Sequence, residues 1–432
     1  MKKVKVYDQI MGSGKTYDAI ERMLQYQKED KKYIYITPFL SEISRVQKAI
    51  GSDNVFVPLD SSEQGSGKYH CDYNLIKENG EIDLNAQKSF KPLNKRAQFL
   101  KLASDGKNII STHSLFMSLK KCDFSFFSDY ILILDEVVTP LQITKIGAVD
   151  INMLRNQELI IINDETNEVN FINDNYNDPG FTHVKKLCNN STVFYMDKYF
   201  FVWVFPIEIF TEFKEVQILT YLFEGSLLRA YFKMYGIGFN IYKTESLENL
   251  LNIRELLNIY QGSANSFSRS NAFSKTWIEN LSKEKQKSIS DSTSNIFKRV
   301  FKTGSEQNAY TTFKSSKSKL AGKGYTKGFI PVNARASNEY SYKESMAYLA
   351  NRYFDPQTIN FFRERDVILN EDLWALSELI QWVWRGCIRR SKEMNLFIPS
   401  NRMRQLLVDW LDGKFLFNME NQSIENSKTI LC

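Results

Sequence analysis

Histidine is scarce in this chain, three residues in 432. Five cysteines, at 71, 122, 188, 387 and 432, form no CxxC pair and keep no regular spacing. These shortages argue against a zinc site, and a reduced cytosolic protein is the expected setting. His70 and Cys71 are neighbours, but adjacency is not ligand geometry. Long hydrophobic runs are missing too. No stretch approaches the roughly 18 apolar residues of a membrane span. The N-terminus reads as a strand rather than a leader. Neither membrane spanning nor secretion is therefore expected. Charge of one sign is in only mild excess, net +6, which permits a nucleic-acid partner without demanding one. The apolar content of 43% marks a globular chain, long enough for two or three domains with cores of their own.

Against that background one motif stands out, Gly12-Ser13-Gly14-Lys15-Thr16. It lies between an alternating apolar run, Val4 to Ile10, and a helix-like run from Tyr17 to Gln27. Strand, glycine-rich turn and helix in that order make a triphosphate-binding loop. Glycine lets the backbone approach the phosphates, and the N–H groups of the turn and helix N-terminus point at the anion. Lys15 reaches the β/γ-phosphates and the Thr16 hydroxyl ligates Mg²⁺. Gln9 stands where the general pattern has its first glycine. A near-copy, Gly65-Ser66-Gly67-Lys68, has Tyr69 in place of Ser/Thr and no apolar strand leading in, so it reads as a polar loop.

Tyr130 to Leu134 is a continuous apolar run, the pattern of a buried parallel strand, and it ends in Asp135-Glu136. Acidic residues there lie beside the phosphate loop, because ligands of open α/β sheets bind at the carboxyl ends of the strands. Asp135 is expected in the Mg²⁺ shell, and Glu136 is expected to orient or deprotonate the attacking water. Alone, the pair would be an ordinary solvated turn after a core strand. The loop upstream makes the functional reading the stronger one.

Strand signals at 4–10, 33–37, 109–111 and 130–134 alternate with helical stretches, which predicts a parallel sheet covered on both faces. The segment 150–215 reads as a β-rich insertion, with period-2 runs and a dense aromatic stretch from Val193 to Phe205, before Val216 to Thr220 returns to a core strand. A second α/β unit is expected to start near Tyr231, with strands at Phe239 to Tyr242, Gly328 to Val332 and Asn395 to Ile398. Within it, 261–320 is heavy in Ser, Lys and Asn and reads as a polar insertion with one amphipathic stretch, Ile289 to Phe301. The expected division is an ATP-binding lobe over 1–228, a second lobe over 229–417 and a flexible tail over 418–432. The fold class is α/β, two parallel-sheet lobes.

Taken together these motifs resemble superfamily-two DNA/RNA helicases, the DExD/H-box group, and more narrowly the helicase-like proteins of phages and mobile elements. Gln9 to Thr16 is similar to their motif I, Ile36-Thr37-Pro38 to motif Ia, and Ser111-Thr112-His113-Ser114 to a further strand-contacting motif. Asp135-Glu136-Val137-Val138 resembles motif II. Leu219-Thr220-Tyr221 stands in the place of motif III, with Tyr as a departure, and Asn333 to Tyr340 in that of motif V without its usual residues. Gln381-Trp382-Val383-Trp384-Arg385-Gly386-Cys387-Ile388-Arg389-Arg390 looks like motif VI. Gln381 and Arg385 keep the family spacing. Ile388 occupies the place of the next arginine, so Arg389 or Arg390 takes that role, with Arg389 favoured.

The resemblance implies two RecA-like lobes closing on ATP and Mg²⁺, with Lys15, Glu136, Gln381, Arg385 and Arg389 catalytic. It implies Thr37, Thr112, Ser114 and Thr220 on the phosphate backbone of a nucleic-acid strand, contacts that position without reading sequence. DNA, single-stranded or forked, is the expected partner, with RNA possible and proteins of a replication, recombination or defence complex as further partners. The expected setting is the cytoplasm of a bacterial cell or phage-infected host. Two other readings share Lys15 and Asp135-Glu136: a terminase-like packaging motor, and a nucleotide-dependent switch or scaffold that acts on a protein partner. An amphipathic helix with a cationic end is the plain alternative for the Gln381–Arg390 segment, since Leu373, Leu376, Leu379, Ile380 and Val383 are spaced for a helix.

Overall fold

The structure, a computed structural model, describes residues 4–59 and 93–415 apart from 121–122, 124–125, 174, 197–199, 244–245, 268 and 334–337. The near-copy loop at Gly65, the His70-Cys71 pair, half of the motif V segment and the tail after 415 lie outside the described residues.

The first sheet has six parallel strands: β1 (Val4–Asp8), β2 (Lys32–Thr37), β3 (Ile109–Thr112), β4 (Tyr130–Asp135), β10 (Glu215–Thr220) and β11 (Phe239–Tyr242). Their order across the sheet is β11-β1-β10-β4-β2-β3. The apolar run of β4 is continuous because both of its faces are covered. Ile131 and Ile133 point into one core with Ala19, Ile20 and Met23 of the Lys15–Lys28 helix. Leu132 and Leu134 point into the other, with Phe99, Leu102 and Tyr231. That is the double burial expected of a parallel sheet.

Between β4 and β10 the chain leaves the sheet. It forms a three-stranded antiparallel sheet, β5 (Leu141–Lys145), β9 (Phe200–Val204) and β8 (Thr192–Met196), and a two-stranded one, β6 (Ile160–Ile162) with β7 (Val169–Phe171). The expected β-rich insertion is therefore present, and its sheet already begins at Leu141, which pairs with Val204.

The second sheet is parallel as well, β12 (Leu257–Ile259), β15 (Met394–Phe397), β14 (Ser345–Tyr348) and β13 (Asn308–Thr311) in that order. Three expectations need correction here. Phe239 to Tyr242 is the edge strand of the first sheet, paired in parallel with β1 from Val4 to Tyr7, and not a strand of the second unit. The segment 261–320 is no loop-rich insertion. It carries β13 and the Lys283–Asn295 helix, and it buries Phe273, Ile278, Ile289, Phe297 and Tyr310 against the second sheet. Gly328 to Val332 forms no strand; Phe329 makes a single parallel bridge to Tyr310.

The lobes are packed tightly together. Tyr221 and Leu222, just after β10, sit in the second lobe's core, and Phe361, Phe362 and Val367 sit in the first lobe's. Closest of all is Gly225, where a Cβ would lie 2.6 Å from both the Leu373 carbonyl carbon and the Trp374 nitrogen of the Glu371–Val383 helix. Only glycine permits that approach of two backbones. A Gly225→Ala variant is expected to lose about 1–3 kcal/mol through overpacking, measured as a lowered unfolding midpoint in urea. An unchanged midpoint would mean that this contact does not hold the lobes.

Candidate nucleotide site between the lobes

The carboxyl ends of the first sheet's strands form one row. Strand register sets Asp8 beside Thr220, Leu219 beside Asp135, and Thr37 beside Thr112. The glycine-rich loop leaves β1 here. Gly12 and Gly14 have φ of 84° and 94°, and a Cβ on either would meet nothing within 4 Å. This is the left-handed backbone that glycine adopts without strain. The helix starts at Lys15 with Gly14 as its N-cap. Gly12, Ser13 and Gly14 are exposed and Thr16 is half-buried. The Lys15 ammonium lies back over the loop and donates to the carbonyls of Gln9 and Ile10, the latter at 2.8 Å.

Asp135 ends β4, and its Oδ2 accepts a hydrogen bond of 2.6 Å from the Tyr35 hydroxyl. Its surface is half-buried, but protein surrounds it at longer range, and this desolvation raises its carboxyl while Tyr35 and the Lys15 charge pull it down. Lys15 is thus within electrostatic reach of Asp135. Hard oxygen donors beside an open phosphate cradle suit a divalent cation such as Mg²⁺, so Thr16 and Asp135 fit the metal role. Glu136 follows with φ of 67°, a strained conformation for a residue with a side chain, and its N–H donates to the Leu219 carbonyl at 2.9 Å. Such outliers persist where the surroundings over-determine them, often at functional sites.

From the other lobe comes Arg385, directly after the Glu371–Val383 helix. It is only 4% exposed, and its Nε and Nη1 have no hydrogen-bond partner among the described residues. Burial lowers its guanidinium to about 10, and the strongest charge opposing that shift is Glu136. The structure therefore brings a second-lobe arginine into the electrostatic reach of Glu136. Arg389 is exposed on the short Cys387–Arg390 turn and adds a like charge near Arg385. Gln381 is half-buried and donates to the Ser377 hydroxyl at 3.1 Å, along its own helix. Trp382 and Trp384 are buried packing residues, Trp382 donating its indole N–H to the Ile330 carbonyl.

The expected strand contacts fare differently. Ser114 is exposed and Thr112 half-buried, with the Thr112 hydroxyl capping the next helix at Leu115. Thr37 and Thr220 are buried, at 0% and 6% exposure. The Thr37 hydroxyl has no hydrogen-bond partner among the described residues. Both end strands that neighbouring strands and loops cover. Arg365 stacks on Phe361 at 3.9 Å and on Phe194 at 4.5 Å.

Sequence reading missed two residues. Tyr35 orients Asp135, and only the pairing of β2 with β4 reveals it. Asp8, the last residue of β1, is 3% exposed and accepts the Phe223 N–H at 3.2 Å, while its Oδ1 has no partner among the described residues. It ties the start of the phosphate loop to the turn that packs on the second lobe. A charged residue closing an apolar strand was the available signal.

The fold and site define a two-lobed parallel-sheet α/β protein with a glycine-rich strand-to-helix loop in one lobe and a buried arginine from the other within electrostatic reach of Glu136. The chain belongs to the family of the SPbeta prophage-derived protein YonV of Bacillus subtilis, with which it is 34% identical over 96% of its own length and 100% of the relative's. Residues 251–411 match the family described as the YonV C-terminal Rossmann-like domain. Among solved structures it is similar to an XPD helicase, with 12% identity, 92% of each chain covered and a TM-score of 0.47. Xpd4 of S. tokodaii is similar at 11% identity, covering 95% of this chain and 94% of that one with a TM-score of 0.48. Likeness at that level leaves function to be argued from the site itself.

Burial raises Asp8 from 3.8 to about 6, opposed by the Lys243 and Lys15 charges and by the Phe223 and Leu222 N–H groups. The folded chain therefore keeps this proton where the unfolded chain has lost it. By linkage, Asp8's contribution to stability is largest below about pH 4, declines up to about pH 6, and is flat above. Asp8→Asn keeps an oxygen acceptor for Phe223 and removes the buried charge. Thermal melts of both proteins are expected to show the variant gaining on wild type between about pH 4.5 and about pH 7.5. A constant difference would mean that Asp8 is not held as described.

Proposed function

We propose that this protein is an ATP hydrolase that couples turnover to movement on nucleic acid, a helicase or translocase. The observation that carries the reading is Arg385, buried from the second lobe, with two nitrogens that have no hydrogen-bond partner among the described residues and with Glu136 as the strongest opposing charge. A buried guanidinium with unmet donors is costly to keep, and phosphoryl transfer gives it a use. It neutralises charge on the transferred group in the transition state.

On this reading the loop N–H groups from Gly12 to Thr16 cradle the phosphates, and Lys15 leaves its backbone carbonyls to bond them. Thr16 and Asp135 hold Mg²⁺, which neutralises charge on the β/γ-phosphates when bound. Glu136 orients or deprotonates the attacking water. Arg385 supports the γ-phosphoryl group, with Arg389 reaching in from the exposed turn and Gln381 bracing their helix. Loss of the γ-phosphate removes what Arg385 was paired with and favours a relative shift of the lobes. The exposed strand-end residue Ser114, with Thr112, is the first place to seek backbone contacts of the track. DNA is favoured as that track, and a phage or mobile-element role in replication, recombination or defence fits the prophage relative. The burial of Thr37 and Thr220 favours, as the second reading, a nucleotide switch that acts on a protein partner.

Steady-state ATP hydrolysis, alone and with single-stranded DNA, duplex DNA and single-stranded RNA, separates the two. Stimulation by one of them is expected and names the track; turnover that ignores all three assigns the protein to the switch reading. Lys15→Ala and Glu136→Gln are expected to abolish turnover, with ATP binding retained in the latter. Arg385→Ala is expected to slow it by about 10³-fold, the lower end for such an arginine. A normal rate in Arg385→Ala would sink the two-lobe site.

A further inference from the structure

A cavity of about 310 Å³ opens on the second lobe, away from the nucleotide site, lined by Phe267, Trp277, Arg269, Lys285, Ser266 and Ser288 over an apolar floor. That volume lies at the lower end of small-ligand pockets. Its chemistry is divided. Trp277 and Phe267 are half-buried and stand edge to face, ring centroids 5.8 Å apart at 89°. Behind Trp277 lies fully buried Phe273, centroids 4.9 Å apart and planes inclined by 37°. At the rim Arg269 and Lys285 are exposed, neither side chain has an ion-pair partner among the described residues, and no acidic residue lines the cavity.

This wall is held in place. Phe273 has φ of 65°, and its carbonyl accepts the Asn351 N–H at 2.7 Å. The Asn351 side-chain amide donates to the carbonyls of Ser270 and Ala272, at 2.8 and 3.0 Å. Asn351 belongs to the loop that follows β14, at the carboxyl edge of the second sheet, the edge where ligands of open α/β sheets lie. The aromatic wall is therefore fastened to the functional edge of its lobe.

We propose that this pocket stacks one base of the nucleic-acid strand, Trp277 and Phe267 taking the base and Arg269 and Lys285 the flanking phosphates. Every base has a π-face, so such stacking holds a strand without reading its sequence. The inference rests on the nucleic-acid reading above and adds to it a grip on the second lobe.

Fluorescence anisotropy of the full chain tests it with a labelled oligothymidylate and an abasic strand of equal length. Wild type is expected to prefer the thymidylate by about 5- to 100-fold. Trp277→Ala is expected to remove most of that preference and leave abasic binding unchanged, a split that general loss of structure would not produce. Trp277→Phe is expected to restore part of it. As a second measurement that spares the packing, Arg269→Ala with Lys285→Ala is expected to weaken both strands and keep the preference. An intact preference in Trp277→Ala overturns the pocket assignment alone, provided strands still bind and stimulate hydrolysis. Wild type that binds neither strand overturns the nucleic-acid reading and the pocket with it. Thymidine monophosphate that quenches Trp277 as strongly as the strand assigns the cavity to a free nucleotide and overturns the proposal.

Discussion

A buried guanidinium, two of whose nitrogens have no hydrogen-bond partner among the described residues, is the constraint around which this molecule is arranged. Removing an ion from water costs several kcal/mol even after relaxation, so a fold keeps such a group only if its surroundings are firmly held. Arg385 is held by its helix, Glu371–Val383, which buries Leu373, Leu376, Leu379, Ile380 and Val383 in the second lobe's core. The helix in turn meets the first lobe through Gly225, where backbone touches backbone. With its guanidinium lowered only to about 10, Arg385 remains cationic at neutral pH, and Glu136 is the opposing charge that acts on it most. Moving the helix moves that charge relative to the phosphate loop.

The short turn after β10 carries this dependence between lobes. Tyr221 receives the indole N–H of Trp410 from the second lobe at 2.6 Å, and Leu222 takes a left-handed backbone with φ of 55°. Phe223 donates its N–H to Asp8 at the end of β1, one residue before the loop begins at Gln9. The phosphate loop, the turn and the arginine helix are thus joined through a strained residue and a buried carboxylate. Elements with two packings of similar energy are what a nucleotide-driven switch requires.

How much of this was legible depends on how local each feature is. The apolar run of β4 and its acidic end could be read directly, because a strand buried on both faces has no alternation to hide it. The β-rich insertion showed itself by period-2 runs. Of the second sheet only β15 did, as the expected strand at Asn395 to Ile398. Asn308, Thr311 and Ser345 are wholly or almost wholly buried strand residues, yet by type they read as surface, and the Ser- and Lys-rich stretch around β13 concealed its core. Phe239 to Tyr242 was recognisable as a strand but not as a member of the first sheet, since a parallel strand's partner is chosen by the crossover and not by its own residues. Thr37 and Thr220 have the right side chains at the right strand ends. Whether a hydroxyl there meets solvent or protein is decided by what packs above it.

The sequence by itself determined the glycine-rich loop, because its conformation is set by contiguous residues: two glycines at positive φ, an apolar strand before them and a helix after. It also determined the covered parallel sheet, through runs that could be buried in no other way. Tertiary structure alone decided that Arg385 is buried within electrostatic reach of Glu136, that Tyr35 bonds Asp135 and Phe223 bonds Asp8, and that Phe267 and Trp277 share a pocket with Arg269 and Lys285. Arg385 and Glu136 are far apart in the chain and come within electrostatic reach because the two lobes bury apolar surface against each other. Tyr35 reaches Asp135 because β2 pairs with β4, and the pocket forms where a short stretch folds back on itself, properties that no run of adjacent residues contains.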